Sequence, residues 1–282
     1  MEKTGPNAEQ IEYWNQQAGP KWASQVEPLD RMLAPLGLAA IERAAPRAGE
    51  RVIDVGCGNG QTSLQLAARV GPSGSVLGVD ISVPMLAQAR ARAAAEKLAQ
   101  LRFENADAQT FAFPPGGADL VFSRFGVMFF ADPGAAFANL ARALRPGGRI
   151  AFVCWQALAQ NAWMREPLMA LAKHVPLPPP AAPDAPGPFA FADAARVSGL
   201  LERAGFQGVR LAPATGELFL GGTVDEAVRF VSEIGPVGAV LREAPADGRA
   251  AASAAIREVL ASRATPKGVS LAYATWIASG TR

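Results

Sequence analysis

The stretch that decides the fold is Val52-Ile53-Asp54-Val55-Gly56-Cys57-Gly58-Asn59-Gly60. An apolar strand ends in an acid, and a glycine then occupies every second position. A helical segment over residues 62–70 follows, and a second strand ends in Val79-Asp80. Glycines lack a Cβ, so the chain can turn sharply and a ligand can contact the main chain, while the helix directs its N–H groups at the same point. An acid at the tip of the second strand suits ribose hydroxyls, so the pattern predicts a nucleoside site.

A dinucleotide is the first alternative for this site. Its fingerprint, G-x-G-x-x-G counted from Gly56, requires glycine at position 61, where the chain has Gln61. Asp54 would also lie close to a pyrophosphate, and that contact between like charges is unfavourable. The same carboxylate suits a ligand that carries an ammonium and a sulfonium group. An NAD(P)-dependent oxidoreductase is therefore the disfavoured alternative.

Composition limits the other classes of function. The 282 residues are enough for one large domain with an inserted cap, or for two small domains. No apolar run approaches the roughly 18 residues of a membrane span, and residues 1–6 lack the apolar stretch of a secretion signal. A net charge of +2 without a long Lys/Arg cluster gives no footprint for nucleic acid. Cys57 and Cys154 are too few for a zinc site or a disulfide framework. We expect a cytoplasmic protein without a bound metal, and a homodimer stays open.

Strands and helices alternate from Arg51 onward at the spacing of parallel βαβ units. The predicted strands cover residues 51–55, 75–79, 101–104, 118–123, 149–155, 208–211 and 269–278. The predicted helices cover residues 9–17, 29–44, 62–70, 83–98, 133–144 and 192–204. This alternation predicts an α/β protein with a mainly parallel sheet.

Two segments interrupt the alternation. Residues 175–188 are crowded with proline and are expected to be extended, either as a cap packed over the site or as a disordered linker. Residues 223–263 are predicted to be mostly helical. The resulting division is an N-terminal helical lid segment (1–45), a core (46–155), a Pro-rich cap insert (156–190) and the C-terminal part of the sheet (191–282) with its helical insert.

From Asn7 to about Trp155 the chain resembles the ubiquinone/menaquinone-biosynthesis type of class I S-adenosylmethionine (SAM)-dependent methyltransferases; beyond Trp155 it matches by layout only. The matching pieces are Asp54-Val55-Gly56-Cys57-Gly58-Asn59-Gly60, Gly78-Val79-Asp80-Ile81-Ser82, Asn105-Ala106-Asp107-Ala108, Ser123-Arg124-Phe125-Gly126-Val127-Met128-Phe129 and Leu144-Arg145-Pro146-Gly147-Gly148. The resemblance implies a seven-stranded doubly wound, Rossmann-like sheet of order 3-2-1-4-5-7-6 with helices on both faces. Strand 7 would be antiparallel, and both inserts would lie above the carboxyl ends of the strands.

The resemblance also implies a cofactor, SAM, and residues that bind it. Gly56, Gly58 and Gly60 form the turn, the first two giving backbone contacts to the methionine part. Asp54 would orient the amino end of the cofactor, and Asp80 would accept hydrogen bonds from both ribose hydroxyls. The remaining predicted contacts are Ile81 and Met85 on the adenine, Asp107 and Ala108 at its amine, and Ser123 at the methionine amino group.

An aromatic cluster, Tyr13, Trp14 and Trp22, precedes the core. In the family that the chain resembles, such a segment can close over the cofactor, and an aromatic face suits a sulfonium cation. Tyr13 and Trp22 are therefore predicted to contact the cofactor, with simple packing on an amphipathic helix as the alternative.

The predicted reaction is transfer of a methyl group to a small, aromatic or lipophilic acceptor, with O- or C-methylation favoured. The enzyme would mainly align the acceptor and exclude water. His174, the single histidine, is the nominal general base, although a solvated histidine is the more ordinary interpretation. Arg124 is a candidate to hold an anionic acceptor such as a phenolate, with a salt bridge within the fold as the alternative. Phe125, Met128, Phe129 and Trp163 are candidates to line its pocket, with plain core as the alternative. A SAM-binding protein that catalyses a different reaction is the other alternative.

Overall fold

The computed structural model describes residues 5–179 and 181–282. The prediction about residues 1–6 therefore lies partly outside the described residues. The one about residues 175–188 does so at Pro180. The helices are α1 (Ala8–Gln16), α2 (Ala18–Ser24), α3 (Val26–Ala44), α4 (Gln61–Val70), α5 (Val83–Ala95), α6 (Pro133–Ala143), α7 (Ala162–Leu171), α8 (Ala194–Arg203), α9 (Val224–Glu233), α10 (Gly235–Glu243) and α11 (Ala246–Ala261). The strands are β1 (Arg51–Val55), β2 (Ser75–Asp80), β3 (Leu101–Asn105), β4 (Ala118–Arg124), β5 (Leu144–Trp155), β6 (Gln207–Gly221), β7 (Ala264–Thr265) and β8 (Gly268–Thr281).

One sheet organises the molecule, in the order β3-β2-β1-β4-β5-β8-β6, and the two-residue β7 pairs with β8. The strands from β3 to β5 are parallel, whereas β8 runs antiparallel to both β5 and β6. The seven long strands thus confirm the predicted order and the antiparallel last strand. The central strands β1 and β4 are buried along most of their length, as expected of parallel strands that helices cover on both faces.

The second half of the sheet differs from the prediction in extent. β6 continues to Gly221, far beyond the predicted end at residue 211, and pairs with β8 along nearly all of its length. It is an edge strand with many exposed residues, so it lacks the apolar alternation that marks a half-buried strand. Pro213 is tolerated because one side of an edge strand needs no N–H donor. β5 also begins earlier than predicted, at Leu144, through an irregularity in its pairing with β4.

The region between β5 and β6 contains a helix packed into the core and a segment without regular structure. On α7, Trp163 and Leu171 are buried, and this helix packs against α10 and α11. The proline-rich segment that follows has no helix or strand in its described part. Its Gly187 N–H donates to the carbonyl of Met128 at 3.0 Å, so the segment passes over the short 3-10 turn Gly126–Phe129.

Helix α3 packs against β4, β5 and β6, and α4 packs against β1 and β2. Leu29 and Asp30 near the start of α3, and Thr62 near the start of α4, lie at the edge of the sheet where β1, β2 and β4 finish. Within the described residues, no helix is both long enough and apolar enough to cross a membrane.

Candidate cofactor and acceptor site

A cavity opens at the carboxyl ends of β1, β2 and β4, where the parallel strands release their loops on the same edge of the sheet. Its lining comes from three sources: the N-terminal helices, the loops after β1, β2 and β3, and the end of β4. The lining residues are Asn7, Trp14, Trp22, Leu29, Asp30, Leu33, Val55, Gly56, Cys57, Gly58, Asn59, Thr62, Val79, Asp80, Ile81, Met85, Ala106, Asp107, Ala108, Arg124, Phe125, Gly126, Phe129 and Phe130.

The loop after β1 presents bare backbone to the cavity. Gly56 has φ of +66°, and a Cβ there would lie 2.5 Å from Cα of Gly126, so only glycine fits. Gly58 has φ of +55°, and a Cβ there would lie 2.7 Å from the terminal methyl group of Met85. Gly60 does not line the cavity; it begins α4 with φ of +84°. It therefore shapes the turn and makes no contact with the cavity.

Asp80 lies at the tip of β2 and lines the cavity as predicted. Its two carboxylate oxygens accept hydrogen bonds from the backbone N–H groups of Gly58 and Ser82, each at 2.8 Å. An ionised carboxylate offers about four acceptor positions, so two stay available for a ligand. Burial raises the pKa of Asp80 above its usual value, and the backbone N–H groups oppose that shift.

Asp54, at the tip of β1, is a correction to the predicted contacts because it does not line the cavity. Its side chain is fully buried, and one oxygen accepts from the hydroxyls of Thr62 at 2.7 Å and Ser63 at 2.6 Å. The other oxygen has no hydrogen-bond partner. Burial raises the pKa of Asp54 to about 6. Asp54 thus fixes the first turn of α4, and Thr62 of that turn is the residue that reaches the cavity.

The predicted adenine-side residues Ile81, Met85, Asp107 and Ala108 all line the cavity. Asp107 is buried and accepts hydrogen bonds from the side-chain amide of Asn7 at 2.8 Å and from the Gln109 N–H at 2.9 Å. These two bonds hold one carboxylate oxygen in place. Asp107 is therefore not the surface acid that a loop position alone would suggest.

Ser123 is a second correction. Its hydroxyl donates to the carbonyl of Val55 at 2.7 Å and accepts from the N–H of Gly126 at 3.1 Å. Since the side chain is buried and absent from the lining, it cannot present its hydroxyl to a ligand. It joins the end of β4 to the end of β1, and so positions the loop that contains Gly56.

The N-terminal helices cover the cavity, but Trp14 takes the place predicted for Tyr13. Trp14 and Trp22 line the cavity, with ring centroids 5.5 Å apart and edge to face. Tyr13 packs edge-on against Trp14 at 5.6 Å and does not line the cavity. The reason is helical geometry: Asn7, Ile11 and Trp14 follow the 3.6-residue period and share an inward face, whereas Tyr13 lies off that face. That spacing was a signal in the sequence for both Asn7 and Trp14.

At the end of β4, Arg124 and Phe125 both line the cavity. Arg124 donates a hydrogen bond to the side-chain carbonyl of Gln61. Burial lowers the pKa of Arg124 to about 10, and the nearby charges of Asp30 and Asp54 oppose that shift. The guanidinium therefore stays protonated at neutral pH. Phe129 also lines the cavity, whereas Met128 is buried in the core.

His174 and the Pro-rich segment lie outside the cavity lining, which corrects the predicted cap. His174 is exposed just after α7, and no described residue of 156–190 lines the cavity. Two rings separate Trp163 from the cavity: Trp163 packs at a tilt on Trp155, with centroids 5.1 Å apart, and Trp155 stacks on Phe125 at 4.2 Å. The proline-rich sequence indicated an extended segment, but it did not indicate which part of the molecule this segment packs against.

The sheet order and the glycine loop together define a Rossmann-like methyltransferase fold, and comparison with known proteins agrees. Residues 52–148 match a family described as a methyltransferase domain. Aklanonic acid methyltransferase DauC of a Streptomyces species is 39% identical over 118 residues, 42% of this chain and 54% of that protein. Demethylmenaquinone methyltransferase of Thermus thermophilus is 41% identical over 111 residues, 39% of this chain and 50% of that protein. The chain thus spans about half the length of these relatives.

Solved structures extend the likeness to most of the chain at the level of the fold. The YcgJ protein from Bacillus subtilis superposes with a TM-score of 0.59 at 18% identity, over 88% of this chain and 98% of that one. The [4+2]-cyclase SpnF superposes with a TM-score of 0.53 at 17% identity, over 88% and 80%. The resemblance to methyltransferases is therefore confirmed over residues 52–148, and the solved structures extend the likeness of fold.

Proposed function

We propose that the protein is a SAM-dependent methyltransferase that acts on a small, aromatic or lipophilic acceptor. The observation that carries this proposal is the cavity itself, where the bare backbone of Gly56 and Gly58 adjoins the carboxylates of Asp80 and Asp107. Methyltransferase relatives over the same segment support it. The cavity contains the acceptors and the backbone that a nucleoside with an amino-acid tail needs.

The residues fit the cofactor in the order in which the loops present them. Asp80 has acceptor positions left for ribose hydroxyls, which form charge-assisted bonds with a carboxylate. Ile81 and Met85 supply an apolar surface for the adenine, and Asp107 with Ala108 lies where its amine would be recognised. Gly56 and Gly58 are placed for the methionine part. Asp54 acts as a positioning residue through Thr62.

The chemistry needs little from the protein beyond alignment and dryness. The cofactor supplies an activated methyl group on a sulfonium. Trp14, Trp22 and Phe129 surround the cavity with aromatic surface, which excludes water and suits a cation. The exposed position of His174 favours catalysis by positioning over general-base catalysis.

Two expectations stay predictions: a cytoplasmic location and no nucleic-acid partner. Whether the protein forms a homodimer stays open. The small net charge without a basic cluster supports the expectation that nucleic acid is not a partner. Size-exclusion chromatography with light scattering measures the oligomeric state directly.

The test is a calorimetric titration with S-adenosylhomocysteine and with NAD. We expect S-adenosylhomocysteine to bind and NAD not to bind. Asp80→Ala should weaken S-adenosylhomocysteine by about 2–4 kcal/mol, because two charge-assisted bonds are lost. Asp184→Ala, a change at an exposed acid, is the matched control. Tighter NAD binding, or an unchanged affinity in Asp80→Ala, would contradict the site assignment.

Activity is tested separately with a panel of phenols and quinones and detection of methylated product by mass spectrometry. Methylated product supports methyl transfer. Binding of S-adenosylhomocysteine together with no product from any acceptor would favour the alternative of a SAM-binding protein with another reaction.

A further inference from the structure

Arg124 lacks the carboxylate partner that two other half-buried arginines of the described residues have. Arg92 pairs with Asp30 at 2.7 Å, and Arg149 pairs with Glu50 at 2.7 Å. Among the described residues, no carboxylate lies within ion-pair distance of Arg124, and its hydrogen bond goes to a neutral amide. A guanidinium has five N–H donors. Several donors of a cation that lines the cavity are therefore unused, and the nearby carboxylates of Asp30 and Asp54 are bonded to other groups.

Phe125, the next residue, has a backbone conformation that a bulky side chain rarely adopts. Its φ is +65°, a left-handed conformation that is unfavourable for a residue with a side chain. Its N–H donates to the carbonyl of Val153 at 3.0 Å, and its ring stacks on Trp155 at an interplanar angle of 9°. These contacts hold the residue in place. Strain that is over-determined in this way is typical of functional sites.

The left-handed residue has a direct geometric consequence. Consecutive residues of a strand point to opposite faces of the sheet. Because β4 ends at Arg124 and the chain turns at Phe125, both side chains reach the same cavity. A cation and a flat aromatic surface are thus placed side by side.

We propose that Arg124 and Phe125 bind the acceptor as a planar anion, with the guanidinium paired to an ionised carboxylate or phenolate and the aromatic ring seated at Phe125. This inference rests on the proposed function and names the acceptor class for the same site. A guanidinium matches a carboxylate in two parallel hydrogen bonds. The ionised oxygen then takes the methyl group as the bond from methyl to sulfonium sulfur breaks and a neutral thioether leaves, so no proton has to be removed. This agrees with a described lining that contains no histidine.

The carboxylate of the cofactor's own methionine part is the other source of an anion, and the experiment separates the two. The probes are 2-naphthoate and its neutral counterpart 2-naphthamide, titrated into protein saturated with S-adenosylhomocysteine. We expect the acid to bind at least about tenfold more tightly than the amide, as charge-assisted bonds imply. In Arg124→Gln this ratio should fall to about one, while S-adenosylhomocysteine binds within about threefold of wild type. Arg210→Gln, at an exposed arginine of β6, is the matched control and should keep the ratio.

A second variant keeps the test informative if Arg124→Gln fails to fold. Phe125→Leu retains the charge and removes the flat surface, so the affinities for acid and amide should both fall while their ratio is kept. The proposal is wrong if wild type shows no preference for the acid, or if Arg124→Gln keeps that preference. It is also wrong if Arg124→Gln weakens S-adenosylhomocysteine tenfold or more but leaves 5′-methylthioadenosine, which lacks the carboxylate, unchanged. Failure of wild type to bind S-adenosylhomocysteine would instead overturn the proposed function.

Discussion

Two groups of helices flank the sheet, and they are attached to it in different ways. The lid, defined here as α1 and α2, is joined to the site through side-chain hydrogen bonds and through the ring of Trp14, which packs edge to face on Phe129. Asn15 donates to the carbonyl of Ile81 at 2.9 Å and accepts from the N–H of Val83 at 3.0 Å. Asn59 donates to the carbonyl of Trp22, also at 2.9 Å. The lid is therefore hydrogen-bonded to the same loops that line the cavity.

The insert, defined here as α7 with α9, α10 and α11, is joined through buried apolar side chains. Its fully or almost fully buried residues include Trp163, Leu171, Phe230, Ile256 and Leu260. Burial of one such side chain contributes about 1.5–3 kcal/mol, against about 0.5–1.5 kcal/mol for a hydrogen bond. The helices that cover the cavity thus depend in part on contacts that are individually weaker than those of the insert. The insert belongs to the core, although its sequence predicted a cover for the acceptor.

The largest expected effect is on the insert side. Trp163→Ala should lower the free energy of unfolding by about 3–5 kcal/mol, because a buried ring packed against Trp155 is removed. Urea denaturation measures the effect. Met169→Ala on the same helix is the control, since this side chain is 58% exposed, and it should change stability by less than about 0.5 kcal/mol. Equal effects of the two changes would mean that α7 is a mobile cap after all.

The sequence predicted the half of the site that depends on local patterns. Gly56, Gly58, Asp80 and Met85 reach the cavity because strand ends, turns and helix starts follow one another within a few residues. The parallel strand order then brings the loops together on one edge. These features need no knowledge of distant contacts.

The rest of the site depends on contacts that spacing does not encode. Whether Asp54 faces a ligand or the first turn of α4 is decided by the hydroxyls of Thr62 and Ser63. Likewise, Ser123 is occupied by a carbonyl 68 positions earlier in the chain, that of Val55. The length of β6 escaped prediction because pairing with β8 overrides its weak strand pattern.

The second prediction concerns how stability depends on pH through Asp54, beside the cavity. Burial raises the pKa of Asp54 to about 6 from an ordinary value of 3.8. The folded state therefore holds a proton that the unfolded state loses, so stability falls as pH rises from about 4 to about 6 and then levels off. Asp54→Asn lacks this titration. We expect wild type to lose roughly 3 kcal/mol or less relative to Asp54→Asn across that window.

Urea denaturation of both proteins at pH 4, 5, 6 and 7 measures this difference. The titrations of Glu50, Asp80 and Asp119, whose pKa values are also shifted, are present in both proteins and largely cancel. A difference that stays constant with pH would mean that Asp54 is already ionised in the folded protein at pH 4.

The third prediction concerns the lid. Asn15→Ala removes two hydrogen bonds that join α1 to Ile81 and to Val83. The attachment of the lid over the cavity should lose about 1–2 kcal/mol. Asn15 does not line the cavity. The change should therefore weaken S-adenosylhomocysteine about tenfold by speeding its dissociation, which stopped-flow displacement measures. Ser24→Ala, which removes an exposed local bond in α2, is the control. An unchanged dissociation rate in Asn15→Ala would show that the lid does not retain the ligand.

The smallest effect is expected at the end of the insert. His174 is exposed after α7 and lies outside the cavity lining, so His174→Ala should leave turnover within about twofold of wild type from pH 6 to pH 9. Surface changes of this kind usually shift stability by no more than about 0.5 kcal/mol, so the folded fraction should not confuse the measurement. A general base would instead give a large loss of turnover with unchanged binding. That result would require α7 to bring His174 to the cavity during turnover, and the distinction between a weakly attached lid and a firmly packed insert would then fail.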